Sequence, residues 1–264
     1  MNEIAQGLAS HIGLLYGVVV AGGLTLATLI YLFLRRQRQR APAPVALARW
    51  WRRGVPLLLI VFALLAWQTR SGQVLPAFDA ALAQAMTSEL SPTALQRFAL
   101  LTHLGDTATL TVLCIVVAGV LLVLRQRVLA LWWVLALAGN GLLNLGLKAL
   151  FARARPEFVH ELTHAAGWSF PSGHSSGALV GYGMLAVVVC QGLPPRARLP
   201  VLLVAVVLVL TIGLSRIALH VHYLSDVLAG FCSGALWLTL CVSGYYWQRD
   251  RAALGKPTGD SAVP

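Results

Sequence analysis

Apolar positions in this chain run together in long blocks instead of alternating or recurring every third or fourth residue. A helix that crosses a bilayer needs about 20 mostly apolar residues, because backbone amides cannot stay unpaired in hydrocarbon. Seven stretches qualify: 12–34, about 54–69, 107–124, 128–148, 174–193, 199–215 and 223–246. The second is the weakest, with a continuous run limited to 55–67 and with Pro56 expected near a helix start, where its missing N–H costs little. Arg35, Arg36, Arg38 and Arg40 follow the first stretch, which lacks a basic region before it and is too long for a cleavable signal peptide. Residues 77–96 are too polar to span, yet Phe78, Leu82 and Met86 recur every four residues. That spacing predicts a helix lying on the outer interface.

Composition agrees. Of 264 residues 58% are hydrophobic and 11% charged, against about 25% charged in an average soluble domain. A disordered, collagen-like or ordinary soluble protein is excluded. Cys114, Cys190, Cys232 and Cys241 lie inside apolar runs with no C-x-x-C pair, as small buried hydrophobes do. The formal charge of +11 is distributed unevenly. With seven spans and the N-terminus outside, fourteen of the 20 cations fall on inner segments and seven of the 9 acids on outer ones. Positive-inside asymmetry favours this topology, so the basicity is an insertion signal and no nucleic-acid partner is expected. The fold class expected is all-α, a polytopic membrane helix bundle.

The polar residues that remain cluster on one side. All seven histidines (His11, His103, His160, His164, His174, His220, His222) fall outside in this topology, with Lys148, Arg153, Arg155 and Arg216. Ionisable groups at span ends mark function more often than accident; snorkelling to the interface suffices for Arg70 and Arg97. Asn140, Asn144 and Lys148, four apart, share one helix face. The two asparagines read as glue between helices and Lys148 as a point charge facing an anion.

Three blocks then stand out: Lys148-x6-Arg155-Pro156, Pro171-Ser172-Gly173-His174, and Ser215-Arg216-x5-His222-x3-Asp226. Their order and spacing resemble the three-part signature of the type-2 phosphatidic acid phosphatase superfamily, over about residues 54–247. The resemblance implies a six-helix phosphatase core, here the last six spans, with 1–36 as an extra N-terminal transmembrane helix. Residues 37–53, with Ala-Pro-Ala-Pro, would be a cytoplasmic linker and 248–264 a cytoplasmic tail. It also implies metal-independent turnover without cofactor, through a phosphorylated histidine of the third block, with the histidine of the second as general acid.

The residues support such chemistry on their own terms. Phosphoryl transfer is mostly positioning and charge stabilisation, and Lys148, Arg155 and Arg216 supply three cations, two of them forked. Ser172 and Gly173 open a helix whose free N–H groups favour an anion, and Pro-Ser-Gly can serve as an ordinary N-cap as well. His222 and Asp226, four apart, are expected on one helix face, the carboxylate fixing one ring nitrogen and leaving the other as nucleophile. His174 would protonate the leaving oxygen and then activate water.

One pattern competes. His160-Glu161-Leu162-Thr163-His164 spells the zinc-protease H-E-x-x-H, but it lies in a short loop between Pro156 and Pro171 where a long helix is not expected. Arg153 reads as a rim charge that attracts substrate, and Gly230-x-x-x-Gly234 as close helix packing. The expected substrate is a phosphorylated membrane lipid at the outer face of a bacterial inner membrane. Undecaprenyl diphosphate is preferred, with phosphatidic acid or phosphatidylglycerol phosphate next. A lipid phosphotransferase with the same site, or a lipid or anion transporter, are the alternatives.

Overall fold

The computed structural model describes residues 2–40, 43–72, 74–156 and 167–254. These residues are helical with short connections: α1 (Asn2–Ser10), α2 (Ile12–Arg40), α3 (Ala43–Ser71), α4 (Val74–Glu89), α5 (Pro92–Thr102), α6 (Thr107–Val123), α7 (Arg127–Phe151), α8 (Gly173–Gln191), α9 (Pro195–Ala218) and α10 (Leu224–Leu254). A 3-10 turn, His103–Gly105, joins α5 to α6. Among the described residues six helices are long and apolar enough to cross a bilayer. A seventh span exists if α5, the turn and α6 count as one crossing bent by 41°. The all-helical, multi-pass class expected from the hydrophobic blocks is therefore what the chain adopts.

The boundaries show where tertiary contacts override the pattern. Pro56 is not near a helix start: α3 begins at Ala43 and carries Pro56 in its interior. The upstream turns are held by Trp51, whose indole N–H donates to Ser243 Oγ on α10 at 3.0 Å. Of the stretch expected as a linker, α2 runs through Arg40 and α3 starts at Ala43, with 41–42 outside the described residues. Residues 77–96 form two helices, because Ser91 caps α5 by accepting the Ala94 N–H at 3.3 Å and Pro92 takes the first helical position. Phe78, Leu82 and Met86 face the bundle, packed with Leu214, Ile217 and Val227 and covered by Ala5 of α1.

Packing between helices cannot draw on the hydrophobic effect where lipid is the alternative, so close fit takes its place. Trp133, Val180, Met184, Cys241 and Tyr245 interlock where α7, α8 and α10 meet. Trp133 and Trp237 donate their indole N–H groups to the carbonyls of Cys114 and Ala136, each at 2.9 Å. Side chains such as Ile115, Val116, Leu142 and Leu145 point outward, as a hydrocarbon solvent requires.

The start of α8 approaches α10 backbone to backbone. A Cβ on Gly230 would lie 2.6 Å from the Ser172 carbonyl oxygen, and one on Gly234 would lie 3.0 Å from that of Ser176. Both neighbours are backbone and cannot swing aside. Gly230→Ala is therefore expected to cost about 1–3 kcal/mol and to lower activity, whereas Gly141→Ala, with nothing within 4 Å of its added carbon, leaves both unchanged. Thermal midpoints and turnover of the two detergent-solubilised variants check this; equal behaviour would show that the contact is not limiting.

Candidate active site

The close packing brings the second and third sequence blocks side by side. Ser172 donates its N–H to the Asp226 carbonyl at 2.9 Å, tying the start of α8 to the start of α10. Ser172 Oγ caps α8, accepting the Ser175 N–H at 3.4 Å and the Ser175 hydroxyl at 2.9 Å. The amide and hydroxyl of Ser172 are thus committed within the fold. The N–H groups of Gly173 and His174 at the helix start make no hydrogen bond among the described residues. They are the donors left for an anion.

The first block is carried in by α7 and the strand of loop after it. Ala152, with φ of 44°, turns the chain out of α7. Lys148 Nζ donates to the Trp168 carbonyl and, at 3.4 Å, to that of Ser169. Arg155 shares the Trp168 carbonyl through Nη2 at 3.4 Å, and its Nη1 lies 2.6 Å from the Val221 carbonyl oxygen and 3.2 Å from His222 Nε2. Arg216, buried at the end of α9, donates through Nη1 to Thr102 Oγ1 at 2.7 Å, while its buried Nε has no partner among the described residues. The backbone carbonyl of Arg216 accepts the His222 N–H at 3.2 Å. Lys148, Arg155, Arg216 and His222 therefore gather around one point. Phe170, just before the second block, packs its ring 5.0 Å from that of Phe151 and 6.0 Å from that of Phe62.

His222 and Asp226 meet differently from the helical pairing expected. His222 precedes α10, which starts at Leu224, and its Nδ1 is 3.5 Å from Asp226 Oδ2, beyond a hydrogen bond. Asp226 is occupied elsewhere: Oδ2 caps α10 by accepting the Tyr223 N–H at 2.9 Å, and Oδ1 accepts from Arg153 Nη1 at 2.6 Å. Ser169 fills the gap, its hydroxyl donating to Asp226 Oδ2 at 2.5 Å and lying 3.2 Å from His222 Nδ1. Sequence reasoning missed Ser169; a serine two residues before the second block was the available signal.

Arg153 is not a rim charge. Its side chain is 13% exposed and bridges Asp226 to Asp79 Oδ2, the latter at 2.9 Å, with its guanidinium over the Tyr223 ring. Burial makes this necessary, because two carboxylates shut away from water need a forked cation between them. Asp79, on α4, also accepts the Ser225 hydroxyl and, at 3.2 Å, the Ser225 N–H. It was absent from the sequence reading, although its i+3 and i+7 relation to Leu82 and Met86 placed it on the buried face.

His174, in the first turn of α8, directs Nε2 to Asp106 Oδ1 at 2.7 Å. The asparagines of α7 hold α8 as expected, Asn144 Nδ2 donating to Ser176 Oγ at 3.4 Å and to the Pro171 carbonyl at 3.5 Å. His160, Glu161 and His164 lie outside the described residues. Among the described residues no three His, Cys, Asp or Glu side chains are grouped as metal ligands.

This arrangement has recognisable relatives. The PAP2 superfamily profile matches residues 129–250. Phosphatidylglycerophosphatase B of Bacillus subtilis is 31% identical over 192 residues, covering 72% of this chain and 94% of that protein. Lipid A 1-phosphatase of Rhizobium etli is 32% identical over 170 residues, covering 56% of this chain and 69% of that protein. The crystal structure described as the first transmembrane PAP2 type phosphatidylglycerolphosphate phosphatase, from Bacillus subtilis, superposes with a TM-score of 0.68 at 28% identity. It spans 77% of this chain and 98% of that one. The chain belongs to the PAP2 superfamily. It is a membrane lipid phosphatase, a lipid phosphomonoester hydrolase by class.

Burial pushes the His222 imidazole down from about 6.5 to about 3, Asp226 opposing and Arg155 and Arg216 adding to the shift. The ring is neutral at pH 7, with a lone pair available. The unfolded chain binds its proton near 6.5 and the folded one only near 3. The unfolded state is therefore the more protonated within that window, and stability falls as the pH is lowered through it. The apparent melting midpoint in detergent is expected to drop between pH 7 and about pH 4.5, and His222→Gln to flatten the slope. An unaltered slope would mean the ring is not held neutral.

Proposed function

We propose that the enzyme cleaves a terminal phosphate from a membrane lipid by transferring it first to His222 and then to water. His222 Nε2 attacks phosphorus, the bond to the lipid oxygen breaks, and His174 protonates the departing oxygen. His174 then takes a proton from water as it attacks the phosphohistidine, which releases phosphate and restores His222. Asp226, with Ser169, orients the nucleophile. Lys148, Arg155, Arg216 and the free amides of Gly173 and His174 at the start of α8, which Ser172 caps, hold the equatorial oxygens where charge accumulates. Gly173 serves there because the backbone must come close to phosphate.

The observation that carries this reading is the convergence of three cations on a neutral imidazole beside a helix start with open N–H groups. A phosphate monoester brings roughly two negative charges to such a site. Similarity over nearly the whole length of phosphatidylglycerophosphatase B favours a glycerophospholipid phosphate such as phosphatidylglycerol phosphate as first substrate. Undecaprenyl diphosphate stays in the substrate panel, since the cradle grips phosphate and not the tail. The cation asymmetry supports an N-terminus outside, a cytoplasmic C-terminus and a site on the outer face of a bacterial inner membrane. In this arrangement residues 54–247 are the catalytic unit and residues 1–36 an added helix.

Purified protein should release inorganic phosphate from a single lipid substrate in detergent, which separates hydrolase from phosphotransferase. His222→Ala is expected to abolish release; substantial residual turnover would remove the covalent route, and retained lipid or anion transport without turnover would favour the transporter alternative. Arg216→Ala should lose about a hundredfold or more, and a wild-type rate would show that the cradle lies elsewhere.

A further inference from the structure

The three sequence blocks leave one part of the site unassigned. Residues 102–106, from the last residue of α5 to the start of α6, touch both Arg216 and His174. Thr102, itself buried, accepts from Arg216 Nη1 at 2.7 Å. Asp106 places Oδ1 2.7 Å from His174 Nε2 and Oδ2 2.7 Å from His103 Nδ1. The turn is pressed onto α8: a Cβ on Gly105 would stand 3.2 Å from His174 Cδ2 and 2.6 Å from Ile212 Cγ2. The Tyr182 hydroxyl donates to the Leu104 carbonyl at 2.8 Å and fastens the same turn two helical turns further along α8.

Asp106 occupies the N-cap position of α6, where an aspartate ordinarily accepts an N–H of the first turn. Its side chain makes no such bond. A capping interaction worth about 0.5–2 kcal/mol is forgone while both oxygens face imidazoles. Helix stability does not explain that choice; the orientation of His174 does.

We propose that Asp106 is the positioning residue for the acid–base step, holding His174 through Nε2 so that Nδ1 exchanges the proton with the lipid oxygen and then with water. The proposal rests on the reading of His174 as acid and base. The carboxylate fixes which ring nitrogen is free: Nε2–H stays on Asp106, and the proton that is exchanged sits on Nδ1. Nδ1 makes no hydrogen bond among the described residues. As the phosphorus–oxygen bond to the lipid breaks, the Nδ1 proton moves to the departing alkoxide. As water bonds to phosphorus and the phosphorus–nitrogen bond to His222 breaks, a water proton returns to Nδ1. His103, 65% exposed at its side chain, holds the second carboxylate oxygen from the solvent side.

The test compares leaving groups in kcat/KM, which ends with departure of the alcohol. For Asp106→Asn, kcat/KM toward an alkyl phosphate lipid should fall about a hundredfold or more, the usual worth of a general acid. Toward a nitrophenyl phosphate, whose phenolate departs without help, it should fall less than about fivefold. A burst of nitrophenolate should appear, because water attack on the phosphoenzyme is slowed. Asp106→Glu should recover part of the alkyl activity, and His174→Ala should repeat the selectivity of Asp106→Asn. Equal losses on both substrates for Asp106→Asn in a protein of wild-type melting midpoint would overturn the proposal. Equal losses for His174→Ala would instead overturn the acid–base reading on which it rests.

Discussion

The site depends on the distance between α8 and α10. Gly230 and Gly234 let the two helices touch backbone to backbone, and the bond from the Ser172 N–H to the Asp226 carbonyl follows from that contact. The start of α8 and the Asp226 carboxylate lie together because no side chain intervenes. In a membrane this approach has added weight, since steric fit and buried hydrogen bonds carry the association that water would drive elsewhere. The asparagines of α7 reinforce it from the other side through Ser176.

Around that contact the charges are arranged in two layers. Arg153 stands between Asp79 and Asp226 and neutralises them within the fold. Lys148, Arg155 and Arg216 rest mainly on backbone carbonyls and on Thr102, partners that a phosphate can outcompete. An anion entering the site would meet donors that the fold holds on neutral oxygens.

Much of this was legible in the chain. The apolar blocks announce a helical membrane protein, and the three charged blocks single out Lys148, Arg155, Arg216, His174 and His222, because their residue types are out of place at span ends. Ser169, Asp79, Asp106 and Thr102 were harder to read, for a physical reason. Each acts through a contact distant in sequence, and each has an ordinary local use: a loop serine, an acid on a half-polar helix, an N-cap and a helix-end threonine. The helical pairing of His222 with Asp226 failed similarly. Spacing of four fits a helix, but Asp226 Oδ2 caps that helix, so His222 belongs to the turn before it.

The first long helix is fastened to α9 at two heights. The Tyr16 hydroxyl pairs with Thr211 Oγ1 at 2.9 Å, and the Tyr31 hydroxyl donates to the Pro195 carbonyl at 2.8 Å. Two such pins, separated by about four turns of helix, lock the azimuth of one rod against the other. The tip of α9 carries Arg216, so the rotational setting of the guanidinium is shared with a helix that contributes no reactive group.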